Sequence, residues 1–110
     1  MIEIHRNADL DIALIVVDQS SFERYDLTNA ALAFKVWRRR HSREAPILSL
    51  STPAEIEITN AEQGEAVVHI PNTAFSDVDA SIYYYEVWLE KDSKKYLISS
   101  GDFVVKETAG

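Results

Sequence analysis

Cysteine is absent from this 110-residue sequence, which excludes a disulfide framework, a thiolate zinc site, an iron–sulfur ligand set and a thiol nucleophile. Glycine and proline are scarce, with three of each. That excludes collagen-like and low-complexity chains and leaves too little glycine for a phosphate-cradling loop or a dinucleotide fingerprint. No G-x-S-x-G elbow and no Asn-x-Ser/Thr sequon occurs. The longest uninterrupted apolar run, Ile12 to Val17, has six residues, far short of the roughly 20 that span a bilayer. The start, Met1-Ile2-Glu3-Ile4-His5-Arg6, lacks the features of a secretory signal, so neither a membrane partner nor secretion is expected. Basic residues are the minority, 11 against 18 acidic ones for a net charge of −7, a poor start for binding nucleic-acid phosphates. Also missing is any amphipathic pattern of period 3.6 sustained over the about 10–12 residues that a helix needs.

The period that is present is two. In Asp9 to Asp18, Leu10, Ile12, Leu14 and Val16 are all apolar, while the alternate set is polar only at its start. The expectation is a strand that is wet on one face at first and buried on both later. Ala31 to Arg38 places Leu32, Phe34 and Val36 on one face and Ala33, Lys35 and Trp37 on the other. Further strands are expected over Ile47 to Leu50, Glu55 to Thr59, Glu65 to Ile70, Ser81 to Glu90, Tyr96 to Ser100 and Phe103 to Lys106, all rich in β-branched or aromatic residues. Asp18 to Asn29 and Lys91 to Lys95 read as connections, the second of hairpin length. Gly101-Asp102 reads as a bulge or tight turn, and Pro71 to Ala80 as a short helical turn with Phe75 and Val78 on one side. Seven or eight short strands in one domain, residues 1–110, point to an all-β antiparallel β-sandwich, with an open barrel as the alternative.

Nothing in the sequence assembles a catalytic set. His5, His41 and His69 lie in three separate segments, without metal-ligand spacing and without a fixed carboxylate partner. His69 is expected on a sheet face and His41 on a charged loop. Asp9 with Asp11, and Asp77 with Asp79, are acidic pairs that do not match an EF-hand loop and read as solvated. No catalytic residue, metal or cofactor is expected.

Two features remain. The segment Lys35-x-x-Arg38-Arg39-Arg40-His41-Ser42-Arg43 carries five of the eleven basic residues. It reads either as a solvated strand end and loop or as a contact for an acidic surface. Nucleic acid is the weaker partner, because no groove of interleaved aromatics accompanies the run. In Ser81 to Glu90 only the set Tyr83, Tyr85, Val87 and Leu89 is free of charge, so it is the core face. That turns Tyr84 and Trp88 outward, as Trp37 is turned outward in its own strand. Tryptophan and tyrosine with arginine nearby match the make-up of interface hot spots. The open alternative is that a loop or the N-terminal segment covers these rings.

Four stretches together resemble the small Ig-like β-sandwich modules of tailed-phage and prophage virion proteins, in particular the N-terminal domain of siphophage baseplate upper proteins. They are Asp9 to Leu14 with its long polar connection; Asp26-Leu27-Thr28-Asn29-Ala30 leading into Ala33-Phe34-Lys35-Val36; Tyr83-Tyr84-Tyr85-Glu86-Val87-Trp88-Leu89; and the closing Leu97 to Val105 segment. Asn29 stands where a glycine is usual, a mild change because both accept left-handed geometry. Ala80-Ser81 departs from the pattern at the turn that opens the long strand. The resemblance implies an Ig-like fold and a structural, non-enzymatic role in a virion (tail, baseplate or neck), in a particle assembled in the host cytoplasm. It implies contacts with other virion proteins or with further copies of this chain, and carries no catalytic residues. On that reading Trp37, Tyr84 and Trp88, with Arg38, Arg39, Arg40 and Arg43, form the interface. The competing reading is a carbohydrate-binding β-sandwich module, whose outward aromatics would stack on sugar rings. A third is a sandwich that accepts a partner's strand along an exposed edge.

Overall fold

The structure is a computed structural model that describes residues 1–18, 20–40 and 43–107; the expectation for His41 lies outside them. Eight strands follow one another: β1 (Ile2–His5), β2 (Leu10–Ile15), β3 (Ala31–Trp37), β4 (Leu48–Ser51), β5 (Ile56–Asn60), β6 (Glu65–Ile70), β7 (Ser81–Lys91) and β8 (Lys94–Lys106). They form a five-stranded sheet of order β1-β8-β7-β3-β4 and a three-stranded sheet of order β2-β6-β5. No helix occurs among the described residues.

The alternation in the sequence decides which face of each sheet is dry. Leu32, Phe34 and Val36 of β3 oppose Leu89, Val87 and Tyr85 of β7, and all six are buried. From the smaller sheet, Ala66, Val68 and Ile70 of β6 and Ile56 of β5 close the core. Four aromatic rings tie it together. Phe34 stacks on Tyr85 with centroids 5.6 Å apart, Phe103 meets both edge-on, and Phe75 lies 5.2 Å from Phe103. Such pairs add about 0.5–1.5 kcal/mol each beyond the area they bury. Phe75 comes from the segment after β6, which runs in turns and not as the expected helical turn.

Turns form where side chains tolerate or favour positive φ. β7 and β8 are joined by Asp92 (φ 55°) and Ser93 (φ 63°), two left-handed residues that make the hairpin turn whose twist suits paired strands. Asn29 also takes a left-handed φ of 62°, which asparagine tolerates better than most residues. Just before it, Asp26 accepts the Thr28 N–H at 2.8 Å. Gly64 has a φ of 68°, and a Cβ there would lie 2.5 Å from the Val16 carbonyl oxygen.

The chain departs from the sequence expectations at four places. The first is β1, a strand that period reasoning passed over because only Ile2 and Ile4 mark it. β1 pairs with β8 in parallel, Ile2 opposite Phe103 and His5 opposite Lys106, so the sandwich is not wholly antiparallel. Secondly, β8 is one continuous strand, and its irregularity falls at Ile98, between the pairs Val87–Ser99 and Trp88–Leu97. Gly101 is no turn. Its missing side chain leaves room for the Tyr85 ring, which a Cβ would meet at 3.4 Å. The third is the segment after β6, noted above. The fourth is β2, whose outer face stays open to solvent at its later end, with Ile15 58% and Val17 42% exposed.

Gly64→Ala is expected to destabilise the fold by more than the roughly 1 kcal/mol typical of a point substitution, because left-handed strain adds to a backbone clash; chemical denaturation measures it. The hydroxyl and backbone N–H of Thr28 hold the Asp26 carboxyl below its usual pKa. A depressed folded-state pKa contributes stability that is present above the unfolded-state pKa and lost as pH falls through the folded one. Asp26→Asn is therefore expected to lower the neutral side of the unfolding-midpoint profile toward its acid level, and so to flatten the limb below about pH 4.

Candidate functional site

The outer face of the larger sheet is built by the residues that alternate with the core set. Across β3 and β7 the register sets Trp37 opposite Tyr84, Lys35 opposite Glu86 and Ala33 opposite Trp88. β4 adds Ser51 beside Ala33 and Ser49 beside Lys35, and β8 adds Leu97 beside Trp88 and Asp102 beside Tyr84. The three outward aromatics thus stand on two adjacent strands.

Glu86 organises them. It sits between Tyr84 and Trp88 on the same face of β7, where its Oε2 accepts the Tyr84 hydroxyl at 3.0 Å and its Oε1 accepts the Trp88 indole N–H at 3.0 Å. One carboxylate so fixes both rings, and hydrogen bonds to a charged acceptor are worth about 1.5–3 kcal/mol where water is excluded. Trp37 lies against Tyr84 with centroids 6.5 Å apart, and the Arg40 guanidinium stands 4.8 Å over the Tyr84 ring, a cation–π contact. Tyr84 is thereby covered to 9% exposure and is not an open contact surface. Trp37 and Trp88 remain half-buried. They flank a trough of about 470 Å³ also lined by Ala33, Lys35, Ser51 and Glu86, where the small side chains of Ala33 and Ser51 leave the space open.

The basic residues do not act as one patch. Arg40 folds back over Tyr84, whereas the charge of Arg38 offsets part of the upward push that burial gives the Tyr83 pKa. Tyr83 donates that hydroxyl to the Asp79 carbonyl. Arg38, Arg39, Arg40 and Arg43 are all exposed. The role of Glu86 escaped sequence reasoning, although Tyr84-x-Glu86-x-Trp88 is a period-two signal that puts all three on one face.

Elsewhere, His69 stands on the outer face of β6, its Nδ1 2.8 Å from the Asp11 carboxylate. Asp9 accepts the Asn72 N–H at 2.7 Å, so both carboxylates are used within the chain. No group of three or more His, Cys, Asp or Glu able to hold a metal ion exists among the described residues, and no helix of the described residues is long and apolar enough to cross a membrane. No family model matches the sequence, and no curated protein matches it.

Glu86→Ala removes the acceptor for both rings. It is expected to shift tryptophan emission to longer wavelength and to lower stability by about 1–3 kcal/mol, measured by fluorescence during denaturation. Glu86→Gln, which keeps an acceptor, is expected to lie between the two.

Proposed function

We propose that this protein is a non-enzymatic assembly module with an Ig-like β-sandwich fold, a structural component of a phage or prophage virion that works through protein–protein contacts. The observation that carries the assembly role is the outer face of the larger sheet. Its two tryptophans are half-buried, lie outside the core and flank an open trough beside exposed arginines. Aromatic anchors with arginine at a pre-set geometry are the make-up of binding hot spots. Glu86 and Arg40 fix the Tyr84 ring before any partner arrives, so little side-chain ordering remains to oppose binding.

The Ig-like reading is supported by the strand order. The first strand pairs in parallel with the last, and the chain crosses between the sheets after β1, β2, β4 and β6. The virion setting rests on the resemblance of four stretches, the β3 entry and the Tyr83 to Leu89 strand foremost. The exposed arginines would meet an acidic surface, on another virion protein or on a further copy of this chain, and such matching sets encounter rate and register more than affinity. The trough between Trp37 and Trp88, with Lys35 and Glu86 at its wall, is the specific feature that favours the second reading, a carbohydrate-binding module.

Solution mass by light scattering at two salt concentrations separates these. An oligomer larger than 12.5 kDa that loosens as salt rises, and that the folded Trp37→Ala/Trp88→Ala variant no longer forms, is the expected result. A monomer under every condition, with tryptophan quenching on a glycan array, transfers the assignment to the carbohydrate module. An oligomer that the double substitution leaves unchanged removes this face from the interface.

A further inference from the structure

On the other side of the molecule the sandwich is unfinished. β2 is the edge of its sheet, and β1 covers only residues 103–106 of β8, so the first part of β8 is also an edge. Between these two edges runs a trough of about 730 Å³. Its apolar walls come from Leu14 and Val16 of the β2 segment, Val87 and Leu89 of β7, and Tyr96 and Ile98 of β8. Ile15 and Val17 on its rim are 58% and 42% exposed, and Tyr96 and Leu97 are 45% and 44% exposed. The volume lies within the range of ligand pockets, about 300–1,000 Å³. The site meets the face of the Glu86 cluster only at Leu89, which lines both troughs, and at Leu97 beside Trp88, and it does not depend on the function proposed for that face.

The edge itself states what kind of occupant fits. Val16 donates its N–H to the Gly64 carbonyl at 2.9 Å, on the side of β6. Backbone groups alternate in direction along a strand. The N–H and C=O of Asp11, Ala13, Ile15 and Val17 therefore point off the edge, where no strand of the described residues lies. A row of backbone donors and acceptors at strand spacing is matched by another extended backbone and not by a compact small molecule. Past Asp11 the edge also lacks the devices that protect edges. Ile12 to Val17 contains no lysine, no proline and no charge, although such residues normally blunt an exposed strand.

Charge narrows the choice further. The outer face beside this edge carries Asp11, Glu57 and Glu65; Asp11 meets His69 through one oxygen and stays 68% exposed, while Arg24 is held by the Gln63 carbonyl and Glu65. The first part of β8 floors the trough, so an occupant lies over it while pairing with β2, as a single extended segment does. The geometry points to a strand-accepting groove. A partner protein inserts one extended segment antiparallel to β2, with apolar side chains at alternate positions filling the trough and lysine or arginine facing out opposite Asp11.

Amide hydrogen exchange of the full chain, followed by NMR, tests this. The probe is a synthetic nine-residue peptide alternating valine with lysine and threonine, set against a scrambled peptide of the same composition. The expected result is exchange slowed at least about tenfold at Ala13 and Ile15 by the alternating peptide alone. Ala13→Pro deletes an outward N–H that the β2–β6 ladder does not use and is expected to abolish the slowing. Ser99→Phe, which fills the trough without touching β2, is expected to do the same and carries the test if the proline variant fails to fold. The proposal is overturned by no slowing at millimolar peptide or by equal slowing with the scrambled peptide. It is equally overturned by slowing that survives in a folded groove variant, or by protection that rises with protein concentration alone, which would make a second copy the occupant.

Discussion

β7 is paired along its length with β8 on one side and with β3 on the other, and its register is the constraint on which both faces of the larger sheet depend. Sliding it by one residue would move Tyr83, Tyr85, Val87 and Leu89 out of the core and drive Glu86 into it. Burying an unpaired carboxylate costs several kcal/mol, so the slip is closed off. The same register places Glu86 between Tyr84 and Trp88, which makes the outer cluster a by-product of the core's alternation. Fold and candidate site are thus specified by one strand.

No polar or charged residue is buried in the core among the described residues. Shape and edge management must then supply the specificity that buried polar networks give elsewhere. Phe34, Tyr85, Phe103 and Phe75 provide shape in the middle. At the rims the protein is uneven, because Arg6 reaches Glu107 and the Ser76 carbonyl at the β1 end while the β2 edge carries no such closure. The two ends of the sandwich therefore differ in how completely the chain finishes itself.

Much of this was legible in the sequence. Period two with β-branched and aromatic residues placed five strands, β3 to β7, within a residue or two of their positions and β2 with an overrun of three at its end, because a half-buried strand writes its burial directly into alternation. The facing of Trp37, Tyr84 and Trp88 followed from the charge of Lys35 and Glu86. What stayed hidden depended on distant segments. Two isoleucines cannot announce β1, whose partner lies about a hundred positions away. Nothing local in Tyr96 to Lys106 separates one bulged strand from two short ones, since the bulge at Ile98 exists only relative to β7. The apolar run Ile12 to Val17 reads as buried on both faces, and only the strand order reveals that one side has no cover. Tyr84 faces outward as its parity requires, yet Trp37 and Arg40 close over it, a fact of the turn after β3 that parity does not carry.

The parallel pairing of β1 with β8 has a consequence for the order in which the chain can take shape. The hairpin of β7 and β8 closes over two residues, whereas β1 must wait for a partner at the opposite end of the sequence, and contacts of such separation form slowly. During synthesis β8 leaves the ribosome after the seven strands described before it. β1 can therefore dock only once β8 has emerged, whatever order the strands between them take. Ile2 and Ile4 stay uncovered over that interval, in which chaperone capture and folding compete for the same residues.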